Sequence, residues 1–92
     1  MNIYQVVSEV LTEAYETLAL DPPEQYRIVE LVVARKRSQA GLMAWKNDRG
    51  YEICGGYMPD KPKMSIRIVK KGVDGPARIV TQEPECQELW KE

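Results

Sequence analysis

Residues 2–20 read NIYQVVSEVLTEAYETLAL, and the apolar side chains of this stretch recur at steps of three and four residues. The apolar set is Ile3, Val6, Val7, Val10, Leu11, Ala14 and Leu18. Polar residues occupy the other positions, and Glu9, Glu13 and Glu16 form one stripe among them. This spacing is typical of an amphipathic helix. We therefore predict a helix over residues 2–20.

The segment that follows, Asp21-Pro22-Pro23-Glu24, is expected to end this helix and to begin another. Proline suits the first turn of a helix but cannot continue one. We predict the second helix over residues 25–38, with Gly41 as its C-terminal stop. A strand is the alternative for this segment, because residues 28–33 (IVELVV) are rich in β-branched side chains.

The composition changes beyond residue 40, where all six glycines lie. We predict four short strands, over residues 42–47, 51–57, 64–71 and 76–82, and then a helix over residues 83–91. Sequential strands joined by short turns pair antiparallel. The predicted fold class is α+β. We predict that two N-terminal helices pack on a small antiparallel sheet of about four strands and that a short C-terminal helix follows. These elements are expected to form one domain spanning residues 1–92.

The residue types that are missing exclude many kinds of active site. The 92 residues include no His and only two Cys, so Ser-His-Asp triads, Cys-His dyads and closed zinc sites are excluded. We expect no enzyme activity, no metal and no cofactor. The remaining candidate nucleophile is Cys54, which precedes Gly55-Gly56 and would need a base such as Lys46 or Arg49 to activate it.

Neither a membrane segment nor a signal peptide is expected from the sequence. No apolar run approaches the roughly 18 residues that a membrane-spanning helix requires. The N-terminus has no basic segment, and Glu9 lies early in the chain. We therefore expect a cytoplasmic protein.

Charge is unevenly distributed along the chain, although the net charge is only −1. Residues 1–30 carry six acids and one base, residues 31–80 carry eleven bases and four acids, and residues 81–92 carry four acids and one base. Segregation of this kind bears on the choice of partner rather than on the fold.

The basic residues of the central segment fall into two groups. Arg35-Lys36-Arg37 is predicted at the C-terminal end of the second helix, where it either complements the helix dipole or binds a partner. In the strand over residues 64–71, the bases alternate with Met64, Ile66 and Ile68, so we predict a basic outer sheet face. The candidate binding residues are Arg35, Lys36, Arg37, Lys61, Lys63, Arg67, Lys71 and Arg78.

These features favour a small interaction protein over an enzyme. We expect it to bind and modulate, by inhibition, a larger protein or nucleoprotein assembly, using the basic sheet face and the acidic first helix. Compact regulators carried by phages and other mobile elements have this general profile. The alternative is a module that binds nucleic acid directly through the basic face, although the sequence carries no nucleic-acid-binding motif.

Overall fold

The computed structural model describes residues 1–11, 25–48 and 62–90. Four strands and two helical segments occur in these ranges. The strands are β1 (Asn2–Leu11), β2 (Gln25–Ala34), β3 (Lys63–Lys70) and β4 (Arg78–Ile79), and the helical segments are α1 (Arg37–Asp48) and a 3₁₀ helix, η1 (Pro84–Trp90). Among these residues, no helix is long and apolar enough to cross a membrane.

The four strands form one antiparallel sheet in the order β3-β1-β2-β4. The longest pairing joins β1 to β2, with Asn2 opposite Ala34 and Leu11 opposite Gln25. On the other side of β1, the register with β3 shifts between Ile3 and Tyr4, which marks a bulge. Because directly opposite residues share a face, this register fixes which side chains lie together on each side of the sheet.

Helix α1 covers one side of the sheet. Its buried residues include Ala40, Gly41 and Ala44, which are small enough to let the helix lie close to the strands. A Cβ atom added to Gly41 would stand 2.9 Å from Ile66 Cδ1, the flexible end of a side chain that would then have to shift. The core under the helix includes Tyr4 and Val6 from the sheet.

The opposite side of the sheet is covered at one end by η1 and the segment that leads into it. Here Ile3, Leu31 and Val33 pack with Val80 and Cys86, and Leu89 and Trp90 border the cluster. A backbone hydrogen bond attaches this segment to β2, because Val80 N–H donates to the Leu31 carbonyl at 2.8 Å. The sheet is thus enclosed on both sides at this end.

The α+β class is confirmed, but the two predicted N-terminal helices are wrong over the described residues. Residues 2–11 and 25–34 form β1 and β2, so the strand alternative for the second segment is the observed one. The reason is burial on both faces, because Leu31, Val32, Val33 and Ala34 are all fully buried. A strand covered on both sides lacks the apolar–polar alternation that identifies a half-exposed strand.

Four further predictions on secondary structure have mixed outcomes. The strand over residues 42–47 is wrong, because these residues lie in α1. The strand over residues 64–71 is confirmed by β3. The strand over residues 76–82 shortens to β4, and the C-terminal helix is the 3₁₀ helix η1. The predicted helix over residues 12–20, the turn at residues 21–24 and the strand over residues 51–57 lie outside the described residues.

Candidate functional site

Among the described elements, η1 covers one end of the sheet on the side opposite α1, and the remainder of that side forms the candidate site. We call this area the open sheet face. By register it carries three residues of β1, two of β2 and three of β3. These residues are Gln5, Val7, Glu9, Arg27, Val29, Lys63, Ser65 and Arg67. Within this set, Arg27, Lys63, Ser65 and Arg67 are exposed.

Gln5 marks the border between the open sheet face and η1. Its side chain is buried, and its amide nitrogen donates to the carbonyls of Leu89 at 3.1 Å and Trp90 at 3.0 Å. Its amide oxygen accepts a hydrogen bond of 2.8 Å from Arg67 Nε. One side chain therefore joins η1, β1 and β3, and it holds Arg67 in a defined position at the edge of the open face.

A shallow depression of about 280 Å³ lies on the open sheet face. The lining of this depression combines apolar surface with charged side chains. The lining residues are Gln5, Val7, Glu9, Arg27, Ser65, Ile66 and Arg67. The half-buried side chains of Val7 and Val29 face each other across β1 and β2. The floor of the depression is therefore partly apolar, and polar side chains surround it.

The charge of the open sheet face is predominantly positive. Glu9 lies between Arg27 on β2 and Lys63 on β3, in one row across the three strands. Arg67 adds a third positive charge two rows away. Arg27, Lys63 and Arg67 are exposed, whereas Glu9 is partly buried. Three cations against one carboxylate produce a positive potential above an apolar floor.

The structure does not bring all the candidate binding residues together. Lys63 and Arg67 share the open sheet face, and Met64 and Ile66 lie on the opposite side, as their alternation predicted. The helix that covers Met64 and Ile66 is α1, whereas the prediction was that the two N-terminal helices would cover them. Lys71 follows β3 at the opposite end of the sheet and is exposed. Lys61 and Cys54 lie outside the described residues. The members of this set that the structure describes therefore do not form a single basic face.

The prediction that Arg35-Lys36-Arg37 ends a helix is wrong. Arg35 and Lys36 form the bend after β2, and Arg37 is the first residue of α1. The first helical hydrogen bond runs from Ala40 N–H to the Lys36 carbonyl at 3.1 Å. The three exposed bases thus lie at the positive end of the helix dipole, where positive charge is unfavourable. Complementing the dipole cannot explain their presence.

Arg78 forms hydrogen bonds with the backbone of the loop before β4. Its Nη1 donates to the carbonyls of Pro76 at 2.9 Å and Asp74 at 3.3 Å. Gly75 has a φ of 96°, and a Cβ atom there would stand 2.8 Å from Arg78 Nη1. The guanidinium therefore fits against a residue without a side chain, which gives Arg78 a structural role.

Sequence reasoning missed a group of oxygen-bearing side chains on the α1 side of the sheet. Asn47 Nδ2 donates to Glu30 Oε2 at 2.9 Å and to Asp48 Oδ1 at 3.1 Å. Burial and the nearby Asp48 carboxylate raise the pKa of Glu30 to about 7, against the smaller opposing effect of hydrogen bonds from Thr81 and Asn47. Burial also raises the pKa of Asp48. The signal in the sequence was a lone carboxylate within the apolar run of residues 28–34.

The chemistry of Cys86 favours a core role. Burial, followed by the negative charges of Glu83 and Glu85, raises the pKa of its thiol. A raised pKa disfavours the thiolate that a nucleophile requires. Within the described ranges, no three Cys, Asp or Glu side chains cluster in a way that could hold a metal ion.

Comparisons of the chain with protein families, curated proteins and solved structures gave no match. The function must therefore be argued from the side chains themselves.

Proposed function

We propose that this protein is a non-enzymatic binding module that holds an acidic, extended segment of a protein partner on its open sheet face. The partner is a larger protein or the protein component of a nucleoprotein assembly. The observation that carries the proposal is the depression of about 280 Å³ bordered by Arg27 and Arg67, with Lys63 beside it. By occupying a surface of its partner, the module modulates that partner by inhibition.

The composition of the open sheet face favours a protein partner. Val7 and Val29 supply apolar area at the centre, and exposed cations surround them. An apolar centre with a charged rim is the usual anatomy of a protein interface. The positive rim adds steering of a negatively charged partner and selects against basic ones.

The spacing of the cations favours an extended segment. Arg27 and Lys63 lie on strands separated by β1, which corresponds to two strand spacings, or about 9.6 Å. In an extended polyproline II segment, which has three residues per turn, two acidic residues three positions apart point the same way and are separated by about 9.3 Å. We therefore expect the bound segment to carry acidic residues at this spacing.

A capture experiment with matched variants tests this proposal. The double variant Arg27→Gln/Lys63→Gln removes two charges from the open sheet face. The control Lys46→Gln/Lys71→Gln removes two charges from exposed positions elsewhere. We expect a partner that the wild type and the control retain from lysate, with or without nuclease, and that the double variant loses. Equal retention by all three proteins would overturn the proposal.

Direct binding of nucleic acid is the second candidate, and one observation favours it. Arg35, Lys36 and Arg37 are exposed at the start of α1, where backbone N–H groups and the helix dipole also favour an anion. The probes are generic duplex DNA and single-stranded RNA, titrated at several salt concentrations. Micromolar binding with a steep salt dependence, weakened by Arg37→Gln, supports this function. Lack of binding at low salt eliminates it.

A further inference from the structure

Strand β3 lies at an edge of the sheet. In the order β3-β1-β2-β4, its one neighbour among the described strands is β1. The strand is eight residues long, so a row of backbone N–H and C=O groups along its outer edge has no strand partner within the described residues. Such a row is a template for pairing with a further strand. The opposite edge of the sheet is formed by β4, which has only two residues.

Exposed apolar side chains flank the β3 edge. Among the described residues, Leu42 is 52% exposed and Ile68 is 41% exposed. Ile68 shares the α1 side of β3 with Ile66. A Cβ atom on Gly41 would stand 2.9 Å from Ile66 Cδ1, so this flank of α1 faces β3. Asn47, which bonds to β2, lies about 140° around the helix from Leu42. Both exposed apolar side chains therefore lie toward the β3 edge.

The sequence of β3 is complementary to itself in one antiparallel register. Opposite residues of a sheet share a face, and a two-fold axis through a pair of Ile66 residues meets this condition. Met64 then lies opposite Ile68 of the second copy, and Ser65 lies opposite Arg67 of the second copy. Apolar side chains thus meet on the α1 side, and no like charges lie opposite each other within residues 64–68. A shift of the two-fold axis to Arg67 would pair two guanidinium groups, which is unfavourable.

Helix α1 leaves room for a second copy at this edge. It contacts β2, β1 and β3, of which β1 is the middle strand. Pairing through β3 would therefore place the two α1 helices about three strand spacings apart, or about 14 Å. Helices in direct contact are about 8–10 Å apart, so the two helices do not clash. The space between them accommodates Leu42 and Ile68 of both copies.

We propose that two copies of this chain pair through β3 in a symmetric dimer with one continuous antiparallel sheet. Ile66 lies at the two-fold axis, and Leu42 and Ile68 of both copies pack against one another beside it. The contact gives the outer backbone groups of β3 hydrogen-bond partners and removes the two exposed apolar side chains from water. It uses the edge of the sheet rather than the open sheet face, so it does not rest on the proposed function.

Sedimentation of the full chain at rising protein concentration tests the proposal. We expect the wild type to pass reversibly from one chain mass to two. Ile68→Lys places a charge on the apolar side of the contact and should weaken dimerisation by at least about tenfold. Leu42→Gln should also weaken it. The control Gln82→Lys adds the same charge at an exposed position after β4, at the other edge of the sheet, and should dimerise as the wild type does. Thermal midpoints at low protein concentration verify that the variants fold.

The exposed Ser65 tests the register itself, because it lies opposite Arg67 of the second copy in the proposed dimer. Ser65→Glu should strengthen the dimer severalfold, and Ser65→Lys should weaken it by a similar factor. A wild type that stays monomeric at every concentration would overturn the proposal, as would unchanged dimerisation of a folded Ile68→Lys protein. Equal effects of the two Ser65 variants would place the contact elsewhere. A monomeric wild type that captures a protein from lysate, with capture lost in Ile68→Lys, would assign the edge to a different protein.

Discussion

Arg67 Nε donates a hydrogen bond of 2.8 Å to Gln5 Oε1, and the other end of the same amide donates to the last two residues of η1. Gln5 is buried and Arg67 is exposed. The contact therefore links a core residue to the open sheet face. It explains how a solvent-exposed guanidinium on an outer strand keeps a fixed position beside the depression.

Replacing Gln5 with Met should loosen η1. Methionine has a similar shape but cannot pair with the Leu89 and Trp90 carbonyls or with Arg67, so we expect destabilisation by about 1–2 kcal/mol in urea unfolding. Amide hydrogen exchange should accelerate in η1 more than in β1. The control is Gln82→Met at an exposed position. Equal stability of the two variants would contradict the importance of the Gln5 amide.

Thr81 supports the edge of β2 through its hydroxyl, which accepts a hydrogen bond of 3.0 Å from the Leu31 N–H in the buried core. Thr81→Val preserves the shape but leaves this N–H unpaired, so we expect a loss of about 1–3 kcal/mol. Thr81→Ser retains the hydroxyl and should cost less. Chemical denaturation of both variants measures the difference, and a serine variant as unstable as the valine variant would refute the role of the bond.

Charge reversal at the start of α1 should stabilise the fold. Arg37 lies at the positive end of the helix dipole beside two other bases, so Arg37→Glu should raise stability by about 0.3–1 kcal/mol. The matched change at the other end, Lys46→Glu, should lower it. Thermal unfolding at low salt measures both. If Arg37→Glu is destabilising instead, the base has a structural role that its exposed position does not reveal.

The α+β class and strand β3 were predictable from the sequence, because the alternation in residues 64–71 reflects one covered and one open side. The two N-terminal strands were not. Their burial on both sides depends on tertiary packing against α1 and η1, and η1 lies about 50 residues beyond β2. The apolar spacing of residues 2–11 fits a helix as well as a doubly covered strand.

The open sheet face was predictable only in part for the same reason. The parity of Lys63 and Arg67 follows from their strand alone. The contributions of Arg27 and Glu9 depend on the pairing of β1 with β2 and β3, which a helical interpretation of residues 2–38 excludes. The contact between Glu30 and Asn47 likewise exists only because α1 folds back over β2.

Two glycines near β4 should differ in their tolerance of alanine. Both have positive φ, 70° at Gly72 and 96° at Gly75. A Cβ atom at Gly72 meets nothing within 4 Å, whereas one at Gly75 stands 2.8 Å from Arg78 Nη1. Both substitutions incur backbone strain of about 1 kcal/mol, and Gly75→Ala should cost more because it displaces Arg78. Unfolding free energies of the two variants test this, and equal values would show that the guanidinium moves without cost.

Glu30 should make the stability of the protein depend on pH. The pKa of Glu30 rises from 4.5 to about 7 on folding, so the native state binds more protons than the unfolded state between these values. Stability from this group is therefore fully present below about pH 4.5 and is lost as the pH rises toward 7 and above.

The groups around Glu30 are Asp48 and Asn47 from α1, Ser8 from β1 and Thr81 after β4. Glu30→Gln removes the titration, so the unfolding free energy of this variant should fall less between pH 5 and pH 8 than that of the wild type. The exposed control Glu88→Gln should follow the wild type. Parallel pH profiles for wild type and Glu30→Gln would mean that the Glu30 carboxylate is as well solvated in the native state as in the unfolded chain.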